Sequence, residues 1–172
     1  LFILMPSPSI AAEWLHIPLS YGSTSTQKVQ VYGEEAVWQQ SDGNDLEIFY
    51  FDGMRISQIT NNSGDDENPQ IYGNYIVWEG HDGNDKEIFY HNLLSSTTSQ
   101  LTSNNDEDAS PCVYGSYTAW HSSDGSDYEV RYADLSATTP LIVSVTNNSG
   151  INDYAPDISE TRIVWISSDI ST

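Results

Sequence analysis

Three short knots of oxygen-bearing side chains recur along the chain, in QQSDGNDLEIFY at 39–50, EGHDGNDKEIFY at 79–90 and HSSDGSDYEVRY at 121–132. They gather Asp42, Asn44, Asp45 and Glu47, then Asp82, Asn84, Asp85 and Glu87, then Asp124, Asp127 and Glu129, each set around a glycine. Clustered carboxylate and amide oxygens suit a hard cation, calcium above all, which takes about six to eight such ligands. The same residues also suit a tight turn. Asp-Gly and Gly-Asn tolerate positive φ, and an Asp side chain accepts from free backbone N–H groups. We read the knots first as turn builders and second as weak calcium sites filled at high ambient calcium. They do not match the loop of the helix–loop–helix calcium proteins, because the glycine stands too early in them.

The knots are carried by a repeat. Trp38, Trp78, Trp120 and Trp165 are spaced 40, 42 and 45 residues apart, and each is followed by Asp42, Asp82, Asp124 or Asp169. Val29, Pro69, Pro111 and Pro156 precede the tryptophans at a constant distance, and Thr26, Asp66, Asp108 and Asp153 precede those, so most units read D-x-x-P. Tyr32-Gly33, Tyr72-Gly73 and Tyr114-Gly115 recur in step, with Ser159-Glu160 in their place at the end. Within the second unit, QIY, YIVWE, EIFY and SQLT read as short strands separated by Gly, Asn, Asp and Ser. No stretch keeps helical spacing. Four strands in about 42 residues is the make-up of a propeller blade.

The stretch ITNNSGDDENPQIYGNYIVWEGHDGNDKEIFYHNL resembles the TolB-like or PD40-type β-propeller repeat, a WD-like repeat. It is especially similar to versions in archaeal surface-layer and bacterial envelope proteins. The resemblance covers about residues 14–172 and implies an all-β fold, a β-propeller of four-stranded antiparallel blades. It implies little about function, since the shared residues build blades. The first unit departs from the pattern, with Thr26 and Val29 where the others have Asp and Pro.

The register divides the chain. WLHIPLS at 14–20 aligns with the last strand of a unit, followed by blades at about 28–61, 68–103 and 110–147 and a partial blade at 155–172. Three complete blades plus a split or truncated fourth leave three arrangements open: a fragment of a longer propeller, chains that self-associate to complete one ring, or an imperfect four-bladed ring. We favour the fragment. Blades bury their faces on their neighbours, so open ends favour association.

In such a blade, the b–c turns and the d-to-a crossings share one rim. That places Asp66, Asp108 and Asp153 with the knots as candidates for interaction at an acidic rim. The tryptophans lie in apolar strands and are expected in the core. Tyr50, Tyr90 and Tyr132 are expected to be less buried and to serve the surface.

Composition narrows the partners. With 25 Asp plus Glu against 5 Lys plus Arg, the net charge is −20. Nucleic acid and anionic lipid are disfavoured, while cations and basic partners are favoured. The lone Cys112 cannot form an intrachain disulfide and is expected to be a small buried residue. LFILMPSPSIAA reads as the end of a secretory signal, with small Ser9 and Ala11 flanking Ile10, so residues 1–13 are expected to be its remnant. No segment is long enough to span a bilayer. Asn61-Asn62-Ser63 and Asn147-Asn148-Ser149 fit the glycosylation pattern but read first as turns.

Catalysis is not supported by any constellation: His16, His81, His91 and His121 assemble no triad or metal cluster, and G-x-S-x-G is missing. The sequence therefore reads as a non-catalytic, exported β-propeller module, extracellular or periplasmic, for protein, glycan or cation interaction at the cell envelope. The alternative is a fragment of a larger propeller enzyme, a lyase or peptidase-associated, with catalytic residues outside this chain.

Overall fold

The computed structural model describes residues 26–170, all of them in strands, turns or irregular segments and none in a helix. The stretches read as a signal remnant, 1–13, and as an outer strand, 14–20, lie outside the described residues. No helix among the described residues is long and apolar enough to cross a membrane.

The strands form antiparallel sheets in simple meander order. The first sheet is β1 (Thr26–Tyr32), β2 (Glu35–Ser41), β3 (Leu46–Phe51) and β4 (Ile56–Gln58). The second is β5 (Asp66–Tyr72), β6 (Tyr75–His81), β7 (Lys86–Asn92) and β8 (Thr97–Gln100). The third is β9 (Asp108–Tyr114), β10 (Tyr117–Ser123), β11 (Tyr128–Asp134) and β12 (Val143–Ser144), and β13 (Ile151–Ser159) pairs with β14 (Arg162–Asp169). The fold is thus an all-β arc of propeller blades. The inner strands β1, β5, β9 and β13 pack in succession. Lys28, Gln70, Cys112 and Asp157, one from each, line a common cavity.

Turn chemistry explains the hairpins. Gly33, Gly73 and Gly115 take φ of 61°, 57° and 63° between the first two strands of each blade, the region where a Cβ is costly. Glu160 holds the same place in the last sheet at φ 52° without that freedom.

The inner strands depart from expectation. Proline suits the first residue of a strand, yet β5 and β9 begin at Asp66 and Asp108, before Pro69 and Pro111. A β-bulge absorbs the difference. Lys28, Asn68, Ser110 and Ala155 each take a positive φ just before the Val or Pro position, and the pairing register shifts there in all four sheets. The bulge re-aims the backbone so that pairing resumes beyond a residue that has no N–H to give. Its own N–H is captured by the preceding blade: Gln39 Oε1 accepts from Asn68 N and Glu79 Oε1 from Ser110 N, both at 2.7 Å.

The core lies between blades. Val37, Ile48 and Tyr50 of the first sheet pack on Ile71, Ile76 and Trp78 of the second. Full burial of each such side chain contributes about 1.5–3 kcal/mol. Trp38 and Trp78 also stack on Phe49 and Phe89 of the adjoining third strands, at 6.0 and 6.1 Å between ring centroids. Trp38, Trp78 and Trp120 are fully buried as expected, but Trp165 is 38% exposed. Among the described residues its sheet has no third strand for it to stack on. Val164 is 60% exposed, where Val37 and Val77 are at 0% beneath the following blade.

Two further expectations need adjustment. Tyr50 is buried, with its hydroxyl donating to Glu35, because β3 lies under the next blade; Tyr90 and Tyr132 are half-buried. Cys112 is half-buried, with Sγ 3.4 Å from the Ala119 carbonyl oxygen, and burial pushes its thiol up to about 12.

Candidate functional site

Each knot forms the loop between the second and third strands of a blade. Asp42 Oδ1 accepts from Asn44 N and Asp82 Oδ1 from Asn84 N, each at 2.9 Å, and Asp124 Oδ1 accepts from Ser126 N at 2.8 Å. Gly43, Gly83 and Gly125 supply the positive φ these loops need. The leading aspartates therefore do build turns. Those backbone bonds hold the Asp82 and Asp124 carboxyls below the usual range.

The loops do more than turn. In each, the two aspartates and the glutamate at the second position of the next strand bring carboxylate oxygens within 4.8 Å of one another: Asp42, Asp45 and Glu47; Asp82, Asp85 and Glu87; Asp124, Asp127 and Glu129. The structure thus unites the three acidic members of each knot. Of the amides, Asn84 turns its Nδ2 to Asn105 Oδ1 at 3.2 Å, and Asn44 contributes its backbone N–H to Asp42.

The glutamates sit deepest. Glu47, Glu87 and Glu129 are 0%, 0% and 2% exposed. One oxygen of each is used: Oε1 accepts from the backbone N–H of Asn62, Asn104 and Asn148 at 2.9, 2.7 and 2.6 Å. The other, Oε2, is buried in all three and accepts no well-aligned hydrogen bond, although the Thr60 and Thr102 hydroxyls lie close enough to the Glu47 and Glu87 carboxylates to offset part of the burial; Asp45 Oδ1, both Asp85 oxygens and Asp127 Oδ1 are likewise buried without a hydrogen bond. Unsatisfied buried carboxylate oxygens are costly, and three in register are not accidental strain. Two unit charges about 4 Å apart repel by about 4 kcal/mol at an effective dielectric near 20. Burial, with repulsion from Asp108 added, pushes the Glu87 carboxyl up to about 7, and burial also raises Glu47. The salt bridges of Lys86 run to Glu67 and Glu79, both at 3.0 Å, rather than to the cluster.

The crossing into the next blade closes each site from behind. Asp65 Oδ1 accepts from Leu46 N at 2.8 Å, and Asp127 Oδ2 accepts from Gly150 N and Ile151 N at 2.5 and 3.1 Å. Hairpin and crossing therefore share a rim.

Asp66, Asp108 and Asp153, expected to face a partner at that rim, are instead 2%, 0% and 2% exposed. They serve the interior. Asp66 and Asp108 Oδ1 accept the indole N–H of Trp78 and Trp120 at 2.8 Å, and Asp153 that of Trp165 at 3.0 Å. Their Oδ2 atoms accept Nδ2–H from Asn62, Asn104 and Asn148. A buried indole N–H needs an acceptor, which is why D-x-x-P keeps its aspartate. Where Thr26 replaces it, Trp38 Nε1 and Thr26 Oγ1 both donate to Gln40 Oε1 at 3.2 Å.

Sequence reasoning missed the Thr-x-Asn element at Thr60, Thr102 and Thr146. The threonine oxygens accept from Ile48 N, Ile88 N and Val130 N, each at 2.8 Å, and the asparagines bridge glutamate to aspartate. Their recurrence at the repeat period is the signal that points to them; two of the three asparagines fall within N-N-S, where turn or glycan readings competed.

This is the TolB-like, PD40-type propeller-repeat fold, and solved structures share it. A candidate TolB from Agrobacterium tumefaciens superposes with a TM-score of 0.64 at 15% identity, over 81% of this chain and 52% of that one. TolB from Acinetobacter baumannii gives 0.51 at 18% identity over 79% of this chain and 38% of its own. A puromycin-hydrolyzing peptidase from Mycobacterium tuberculosis gives 0.65 at 12% identity over 90% and 28%. The chain thus spans about half or less of each of these proteins, and at such identities the likeness shows the fold. No family model matches the chain. No curated protein matches it either.

Proposed function

We propose that the chain is a non-catalytic, exported propeller module of the cell envelope that binds through its acidic rim, taking a basic protein, a glycan or cations. The observation that supports this reading is the rim itself: three repeats set matching carboxylate clusters on one side of the blades, the first and third are hydrogen-bonded to the crossing into the next sheet, and the first two crossings add Asp65, Asp106 and Glu107. The net charge of −20 favours cationic partners and disfavours nucleic acid. An extracellular or periplasmic location accords with the apolar, small-residue N-terminal stretch. Self-association to complete a ring accords with the exposed Val164 and Trp165. A second reading, a piece of a larger propeller enzyme, draws on the likeness to a peptidase of which this chain spans 28%.

The binding reading is tested by immobilising the full chain and measuring capture of isolated envelope fragments and of a lysine-rich peptide. Neutralising the rim with Asp65→Asn and Glu107→Gln should cut capture severalfold, and Glu34→Gln on the opposite rim should not. Equal loss from both rims, or no capture by the unmodified chain, would sink it.

A further inference from the structure

We infer that the three carboxylate clusters are divalent-cation sites of calcium type, each clamping a hairpin to the crossing that leads into the next blade. This gives the acidic rim a chemical class of ligand and builds on the reading of that rim as the binding surface.

Carboxylates near one another are common on acidic surfaces, so clustering alone does not make a site. Here the deepest member is not on the surface. Glu47, Glu87 and Glu129 are 0%, 0% and 2% exposed, and each keeps one oxygen buried without a partner beside two aspartates. The same orphan occurs at the same repeat position in all three complete sheets, although the surrounding loop changes from D-G-N-D to D-G-S-D. A local packing fault would not recur in this way. A cation would satisfy all of these oxygens together.

The dimensions and the ligand chemistry agree. Oxygens on opposite sides of one calcium ion lie about 4.6–5.2 Å apart, from bond lengths of about 2.3–2.6 Å. The members of each cluster lie within 4.8 Å of one another. Hard carboxylate oxygens without sulfur or imidazole select calcium or magnesium over softer metals. The ligands come from a loop and a strand end, leaving room for water, which suits calcium's flexible shell better than magnesium's strict octahedron.

The position gives the ion a mechanical role. The glutamate of each cluster holds Asn62, Asn104 or Asn148 of the crossing through Oε1, and that asparagine holds the aspartate bonded to the next tryptophan. Binding is thereby linked, through two hydrogen-bonded side chains, to the packing of the following blade.

The experiment is isothermal titration of the chelator-treated full chain with calcium chloride, then magnesium chloride, at fixed ionic strength, with unfolding temperature recorded in parallel. Saturable binding of calcium at three sites per chain is expected, with weaker magnesium binding and a higher unfolding temperature in calcium. Glu87→Gln should remove one site; Asp82→Asn, at an exposed position, should weaken one site about tenfold and decides the matter if the first variant does not fold. No saturable binding at millimolar calcium, or undiminished stoichiometry and affinity in both folded variants, would overturn the assignment. Envelope capture in chelator separates the two readings. If calcium does not bind but rim-dependent capture persists, the cation assignment falls and the binding rim stands; if calcium binds and nothing is captured, the rim reading falls alone.

Discussion

The indole Nε1–H of Trp120 donates to Asp108 Oδ1 at 2.8 Å, and both residues are 0% exposed. A carboxylate read as a surface group is therefore the internal acceptor of a core tryptophan. Because Asp108 also takes Asn104 Nδ2–H, its loss strands two donors. Asp108→Ala should cost about 2–3 kcal/mol, since each unsatisfied buried donor carries a penalty. Urea unfolding would show this as a lower midpoint, with Glu107→Gln next to it within about 0.5 kcal/mol of the unmodified chain.

The same interaction explains a glycine. A Cβ on Gly80 would lie 2.5 Å from Asp66 Oδ1 and 2.8 Å from Phe89 Cδ2, so Gly80→Ala forces apart the Asp66–Trp78 pair and the ring stacked on it. Overpacking of this kind costs about 1–3 kcal/mol. Thermal unfolding should show the loss together with a change in near-ultraviolet circular dichroism. A loss without the spectral change would place the strain elsewhere.

His121 occupies the position from which Gln39 and Glu79 reach the bulge of the next blade, and its buried Nδ1 has no partner. Burial pulls its pKa below the ordinary 6.5, against the opposing pull of Glu79, Glu107 and Asp108. The unfolded chain therefore binds a proton more readily than the folded one. The contribution is intact above about pH 6.5 and is lost as pH falls from there towards the lower folded value. His121→Gln should flatten that part of the stability–pH curve and, by reaching the bulge at Ala155 as Gln39 reaches Asn68, add about 0.5–1.5 kcal/mol. An unchanged slope between pH 7 and 5 in this variant would exclude His121 as its source.

Trp165 is 38% exposed and Trp120 is at 0%. Acrylamide quenching should separate them. Trp165→Phe should remove a strongly quenched component of the fluorescence, and Trp120→Phe a protected one. Equal effects in dilute solution would mean that another surface covers the last sheet, and a concentration-dependent difference would identify that surface as a second chain.

The fold was legible in the sequence because a blade is written in local terms. Trp38, Trp78, Trp120 and Trp165 recur in β-rich segments, and Tyr-Gly and Asp-Gly pairs mark the turns between them. Period, strand order and the membership of each acidic knot follow from nearest-neighbour chemistry along the chain. Burial does not. Asp66 and Asp65 are adjacent acidic residues in a crossing, yet one accepts a core indole N–H and the other caps Leu46 at the rim. Which does which depends on the bulge at Asn68 and on the blade behind it, contacts that no single repeat contains. The glutamates show the same division. Sequence alone determined that Glu47, Glu87 and Glu129 stand near the start of a strand beside two aspartates. Only the tertiary structure decided that one oxygen of each would bind the next crossing while the other stayed buried and unpaired, because the cost of burying a charge is set by what packs around it in space.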